Sequence, residues 1–199
     1  MARVKNQQLY DSSKVNLLEV GESLIRQGSY AQVGINHILK AAKIPKGSFY
    51  HYFSSKHEFA MSVANHYHQK QLLYARTVFS DPNLTPIQRL KGFFEGATDE
   101  MKKRQYSQGC LMCNLTTEMA DEDIDAQAIL FQQWKELGAE IAPQLNQDIL
   151  SHLNLIHLTK QEAADWLLNA WSGALTRMKA HGNDEPLQLF MKTIFKQEN

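Results

Sequence analysis

The sequence predicts an all-α protein of about nine helices, with a three-helix N-terminal unit over residues 1–56 and a larger helical body over residues 57–199. Three observations carry this. Apolar residues recur at i, i+3, i+4 and i+7 along most of the chain, the spacing of one helix face. No segment alternates apolar and polar residues as a half-buried strand does. Ser55-Lys56-His57-Glu58 and Thr159-Lys160-Gln161-Glu162 both have the S/T-x-x-E form that closes a helix start.

Residues 1 to about 10 read as a flexible arm, whose Arg3 and Lys5 either reach a phosphate or stay solvated. The first helix is expected from Asp11 or Ser12, both good caps. It buries Leu17, Leu18, Gly21, Leu24 and Ile25 and stops at Gly28. The second runs from Ile35 to Ala42, with Ile35, Ile38, Leu39 and Ala42 on one face. Lys43-Ile44-Pro45 breaks it, because a residue before proline leaves the α region and proline suits a new helix start. The third, about Lys46 to Phe53, is only two turns long. Such a helix is marginal alone in water, so Phe49 and Phe53, four apart, must dock it on its neighbours. Its other face carries Lys46, Gly47, Ser48, Tyr50 and His51. A rigid exposed face of cation, glycine, hydroxyl and phenol suits phosphate and base-edge contacts, and the free N–H groups at the helix start add an anion site. This is helix-turn-helix chemistry, with the second helix of the pair entering a major groove.

The bulk numbers fit that reading. With 199 residues the chain can bury a real core. Its net charge is zero, yet residues 1–60 hold eight Lys and Arg against four Asp and Glu, and the remainder thirteen against seventeen. A basic head on an acidic body fits a DNA-binding end. The only cysteines, Cys110 and Cys113, form one local pair, which excludes the disulfide framework of a secreted domain. No signal peptide and no membrane span are expected, so the protein should be soluble and cytoplasmic.

The stretch KAAKIPKGSFYHYFSSKHEF resembles the DNA-binding signature of the TetR family of bacterial repressors. The resemblance covers about residues 11 to 60. It rests on glycine after lysine, the aromatic-Tyr-His-Tyr-Phe run and the Ser-Lys that follows. It implies a dimeric, non-enzymatic repressor of transcription that binds a double-stranded DNA operator through Lys46, Gly47, Ser48, Tyr50, His51 and Lys56. Gly34 is a further position on the DNA side, where the family often has Thr or Ser. Lys43 stands where the family usually has glycine, which implies an unusual backbone angle there.

In the body, a fourth helix is expected over about Lys56 to Phe79 and a fifth over about Pro86 to Lys103, opened by Thr85-Pro86. His66 and His68 flank Tyr67 on opposite sides of the fourth helix, so they share no metal; no metal or cofactor is expected. A sixth helix runs from about Cys110 to Met119. A seventh spans about Ile124 to His152, kinked or broken at Pro143. An eighth runs from about Lys160 to Ala180, and a ninth opens at Glu185-Pro186. The eighth is rich in small residues, and with the ninth it could meet its copy in a four-helix homodimer interface or fill the monomer core.

The segment SQGCLMCNLTTEMAD resembles the GCL-x-x-x-L-x-x-E stretch of a TetR subgroup that includes the repressor of N-ethylmaleimide reductase. That resemblance implies an electrophile-sensing role for Cys110. A cysteine after glycine in a first helical turn feels N–H dipoles that favour thiolate, and Cys113, three residues on, lies near the same face. The opposing reading makes both small buried hydrophobes. A pocket for a small hydrophobic effector would be walled by Tyr67, Tyr74, Phe93, Phe94, Met112, Phe131, Trp134 and Trp171, unless that stripe is only core. Two alternatives remain. A thiol-disulfide redox protein using Cys110 and Cys113 would need a strand-helix context that the pattern lacks. A ligand-independent DNA-binding protein would leave the long body unexplained.

Overall fold

The computed structural model describes residues 2–195, with side chains from Tyr10 onward. Among these residues there are ten α-helices and no strand: α1 (Ala2–Gln27), α2 (Ile35–Ala42), α3 (Phe49–Tyr52), α4 (Lys56–Phe79), α5 (Pro86–Lys103), α6 (Leu111–Met119), α7 (Ile124–Ile141), α8 (Gln147–His152), α9 (Lys160–His181) and α10 (Glu185–Ile194). Short 3-10 turns at Lys46–Ser48 and Ala142–Gln144 precede α3 and α8.

Three details differ from expectation. First, α1 begins at Ala2, so the expected arm is helical. No glycine or proline interrupts this stretch, and Tyr10 ties it down by stacking on Tyr52 at 4.8 Å and donating to the His51 carbonyl. The side chains of Arg3 and Lys5 lie outside the described residues. Second, of the kink or break expected at Pro143, the break is what occurs, and it makes two elements of the predicted seventh helix. The chain leaves the α-helix at Ala142, and α8 is a separate element capped by Asn146. The predicted eighth and ninth helices are therefore α9 and α10. Third, Ser55 caps α4 as expected, but the Glu58 carboxylate reaches back to the Ser54 N–H and hydroxyl at 2.7 and 2.6 Å rather than to Ser55. The boxes at Thr85 and Thr159 close fully.

Two hydrophobic cores result. One gathers α1, α2, α3, the first half of α4, α6 and the first half of α7. The other gathers the second half of α4 with α5, the second half of α7, and α8 to α10. Helix α6 thus packs with the N-terminal head, through Leu111, Met112, Leu115 and Met119, although it follows the head by some fifty residues of chain. Cys110 and Trp134 pack against both cores.

Head and body share α4, and α1 lies close along it at Gly21. A β-carbon there would overlap the Phe59 ring and sit 2.9 Å from Val63 Cγ2. Gly21→Ala should therefore destabilise the protein. Overpacking costs about 1–3 kcal/mol, and the better helix propensity of alanine returns only ~1 kcal/mol. A lower urea midpoint at unchanged slope is the expected result.

Candidate functional site

The polar face predicted for DNA stands where the sequence placed it. Phe49 and Phe53 are fully buried and meet Phe59, with ring centroids 5.0–5.6 Å apart. They pin the 3-10 turn and α3 by one side. Lys46, Gly47, Tyr50 and His51 face solvent, Ser48 is half-buried, and Tyr50 is 68% exposed. A β-carbon on Gly47 would meet nothing in the protein, so the fold itself does not require glycine there. Lys43 adopts φ 57°, ψ 37°, the left-handed conformation that the missing glycine implied, and it closes α2. Lys40, in the last turn of α2, and Lys43, its C-cap, are both exposed and are cations that sequence reasoning did not single out for DNA. Gly34 is the extended N-cap of α2, exposed, with no side-chain cap.

Lys56 stands apart from this face. Its ammonium donates to the Ala31 carbonyl at 3.2 Å and lies 4.5 Å from the Tyr30 ring centroid, and burial lowers its pKa. It fastens the start of α4 to the turn between α1 and α2.

Where the two cores meet, a cavity of about 480 Å³ opens, within the range of small-molecule sites. Tyr67, Tyr74, Phe93, Met112, Trp134 and Trp171 line it, and so does Cys110. Phe94 and Phe131 do not. Phe94 is buried among Trp171, Phe190 and Phe195, and Phe131 is 63% exposed on the outer face of α7 under Lys135. Helical spacing alone did not separate the outer face of α7 from its inner one. Cys113 is half-buried behind Cys110, with its thiol directed to Cys110 and Ser172.

The polar end of the cavity holds residues that sequence reasoning missed: Glu22, Arg26 and Lys70. Arg26, on α1, is only 1% exposed. Its Nε and Nη2 both donate to the Gly109 carbonyl, at 3.0 and 2.7 Å, and its Nη1 pairs with Glu22 at 3.1 Å. Lys70 holds the other Glu22 oxygen at 2.8 Å. Burial works against a charged Glu22, but Lys70 and Arg26 outweigh it and keep the carboxyl below its usual value. The signal for this cluster was present in the sequence: Glu22 and Arg26 form an i, i+4 charge pair inside an otherwise buried stripe.

Gly109, at φ +62°, directs its carbonyl to Arg26 and leads straight into Cys110, the N-cap of α6. The Cys110 thiol is lowered to about pKa 6. The hydrogen bond from the Cys113 thiol is the largest cause; burial opposes it, and the Tyr67 hydroxyl, 3.7 Å away, and Arg26 help. The same contact pushes Cys113 strongly upward, while burial and then the charge of Cys110 raise Tyr67. Alkylation of Cys110 should therefore rise through about pH 6 and level off by neutral pH. An ordinary thiol keeps gaining rate through about pH 8.5. The rate of N-ethylmaleimide labelling against pH checks this.

Residues 17–63 match the family described as bacterial regulatory proteins, tetR family, and residues 86–194 match the tetracyclin repressor-like C-terminal domain. The chain is 31% identical to the transcriptional regulator AcuR of Cereibacter sphaeroides over 183 residues, 90% of this chain and 82% of that one. The chain belongs to the TetR family. It is a DNA-binding transcriptional repressor and not an enzyme, which sets aside the thiol-disulfide enzyme reading. This TetR-family protein is also 26% identical to the HTH-type transcriptional repressor NemR of Escherichia coli K12, with 92% of each chain covered. Its fold matches the crystal structure of a regulatory protein TetR from Rhodobacter sphaeroides with a TM-score of 0.78 at 29% identity, over 90% of this chain and 95% of that one. Among the described residues, no helix is long and apolar enough to cross a membrane.

Proposed function

We propose that this TetR-family repressor works in the cytoplasm as a homodimer and leaves its operator when a small apolar effector fills the cavity or when an electrophile or oxidant modifies Cys110. Residues 1–56 read DNA and residues 57–199 sense and dimerise. Two copies of the face formed by Lys46, Gly47, Ser48, Tyr50 and His51 enter successive major grooves of a palindrome, about 34 Å apart. Gly47 leaves room for a sugar-phosphate backbone, and Gly34 exposes the first N–H groups of α2 to a phosphate. Lys56 acts indirectly, by holding the head's first turn.

The dimer forms through α9 and α10. Trp166, Asn169, Gly173 and Thr176 follow one another along an exposed face of α9, and Leu189 of α10 is exposed as well. A β-carbon on Gly173 would meet nothing within the subunit, so this face is open to close approach by a second helix.

The observation that carries the regulatory reading is the Arg26 grip on Gly109. It joins the helix that bears the DNA head to the peptide next to the cavity's cysteine. An effector must favour one arrangement of that joint by free energy, or nothing moves. Filling the cavity or enlarging the Cys110 side chain displaces the Gly109–Cys110 peptide and, through Arg26, α1.

A footprint of the DNA upstream of the protein's own gene should show one palindromic site and not broad coverage, which separates this reading from a ligand-independent coat protein. On that site, Lys46→Ala with Tyr50→Ala should weaken binding by at least about tenfold, since a good base or phosphate contact contributes ~1–3 kcal/mol. Affinity should fall with salt, with a slope near −0.9 per phosphate neutralised. Undiminished affinity in the double variant would overturn the assignment of this face.

A further inference from the structure

We infer that Cys110 and Cys113 form a reversible intrasubunit disulfide across the first turn of α6, with Cys113 resolving the oxidised form of Cys110. This rests on the reading of Cys110 as the sensor and names the oxidant branch of its regulation.

The placement of the two residues carries it. Cys110 is the N-cap of α6, with extended backbone at φ −85° and ψ 131°, and Cys113 is the third residue of the helix. One turn separates their α-carbons by about 5–6 Å, inside the 4.4–6.8 Å span of disulfides. Cys110 lies on the wall of the cavity, where a small oxidant reaches it, and Cys113 sits behind it with its thiol on the Cys110 sulfur. The Tyr67 hydroxyl donates to the Cys110 sulfur. Both cysteines are free in the structure.

The chemistry balances with a hydroperoxide as oxidant. The Cys110 thiolate attacks the peroxide, an S–O bond forms and the O–O bond breaks. The departing oxygen takes a proton and leaves as an alcohol, or as water if the oxidant is hydrogen peroxide. Cys110 is then a sulfenic acid. In the reduced protein the hydrogen bond from the Cys113 thiol to the Cys110 sulfur, then burial and the Cys110 charge, keep Cys113 protonated. Oxidation removes the Cys110 charge and weakens that hydrogen bond, so Cys113 gives up its proton more readily. Its thiolate attacks the Cys110 sulfur, the S–S bond forms, the S–O bond breaks and the hydroxide leaves with the Cys113 proton as water. Two thiols lose two electrons and two protons; one peroxide gains both.

The disulfide draws Cys113 away from Ser172 of α9 and shifts the start of α6 next to the Gly109 carbonyl that Arg26 holds. An oxidant thus acts on the same joint as an alkylating agent, but a dithiol reductant reverses it.

The test uses the reduced full-length protein and hydrogen peroxide, with mass spectrometry of trapped thiols beside operator affinity. In the wild type the chain should lose two hydrogens, both cysteines should escape alkylation, and affinity should fall roughly 5–150-fold, the span of ordinary allosteric couplings. Dithiothreitol should restore it. Cys113→Ser should instead accumulate a dimedone-reactive Cys110 and pass to the sulfinic acid, which dithiothreitol does not reverse. A wild type that keeps a free Cys113 thiol while Cys110 is oxidised, or that traps as much sulfenic acid as Cys113→Ser, overturns the inference. N-ethylmaleimide on Cys110 separates the two ideas. If that adduct leaves operator binding intact, the sensor reading fails, whereas the disulfide stands or falls on the mass measurement alone.

Discussion

Phe49→Ala should abolish operator binding and destabilise the protein by about 3–5 kcal/mol, the range for emptying a buried phenylalanine site. Phe49 has no exposed surface and touches Phe53 and Phe59. Those rings are the buried anchorage of an element too short to fold by itself, one 3-10 turn and the four residues of α3, with Tyr10 adding a stacking contact to Tyr52 from outside. Without the anchor, Lys46, Tyr50 and His51 lose their fixed relation to the rest of the head. The entropy of ordering them must then come out of the binding free energy. Chemical denaturation and operator titration measure the two effects separately. Tyr50→Ala is the internal contrast: its side chain is mostly solvent-exposed, so it should weaken DNA binding while leaving stability within ~0.5 kcal/mol. A Phe49→Ala protein of full operator affinity would mean that α3 is held by something other than its aromatic anchor.

The second large effect is expected at Arg26. Arg26→Met keeps the apolar stem but removes both hydrogen bonds to the Gly109 carbonyl and one partner of Glu22. Hydrogen bonds to a charged group contribute about 1.5–3 kcal/mol, and Lys70 still neutralises Glu22, so the variant should fold with a stability loss of that order. The functional effect should be a loss of coupling. In the wild type, effector occupancy or Cys110 modification should change operator affinity roughly 5–150-fold. In Arg26→Met the same modification should proceed to completion and change affinity by less than about threefold, because α1 no longer feels the Gly109–Cys110 peptide. Arg26→Lys, which keeps a cation on a single nitrogen in place of the two-nitrogen fork, should restore part of the ratio. Comparing ratios removes any uniform effect of the substitution on DNA binding.

These residues also mark what the sequence did and did not disclose. The head was legible because its organisation is local. The apolar spacing of α2, the break at Pro45, the pair Phe49 and Phe53 and the polar face between them all fall within twenty residues. Even the departure at Lys43 carried its own consequence, a left-handed backbone. The start of α1 was missed because good caps at Asp11 and Ser12 compete with a stretch that nothing interrupts, and the decision falls to Tyr10 reaching Tyr52 some forty residues away. Lys56 was read as a DNA cation because it follows the signature; in the structure its ammonium donates to the Ala31 carbonyl and lies over the Tyr30 ring.

The cavity was half legible. Five aromatic residues and Met112, at helical spacing, identified six of its walls, yet Phe131 shares that spacing and faces outward. A helix between two neighbours has two faces that periodicity cannot rank. The Arg26 contact was hidden because its partner is a backbone carbonyl 83 residues later. A main-chain acceptor leaves no trace in composition, and only the odd placement of Glu22 and Arg26 in a buried stripe hinted at it.

The most direct measurement of the link between sensor and head is operator affinity, by fluorescence anisotropy on the footprinted duplex, before and after complete N-ethylmaleimide labelling of Cys110 at fixed salt. The prediction is a fall of roughly 5–150-fold in the wild type and no change in Cys110→Ala treated in the same way. Quantitative labelling of Cys110 with wild-type operator affinity retained would contradict it.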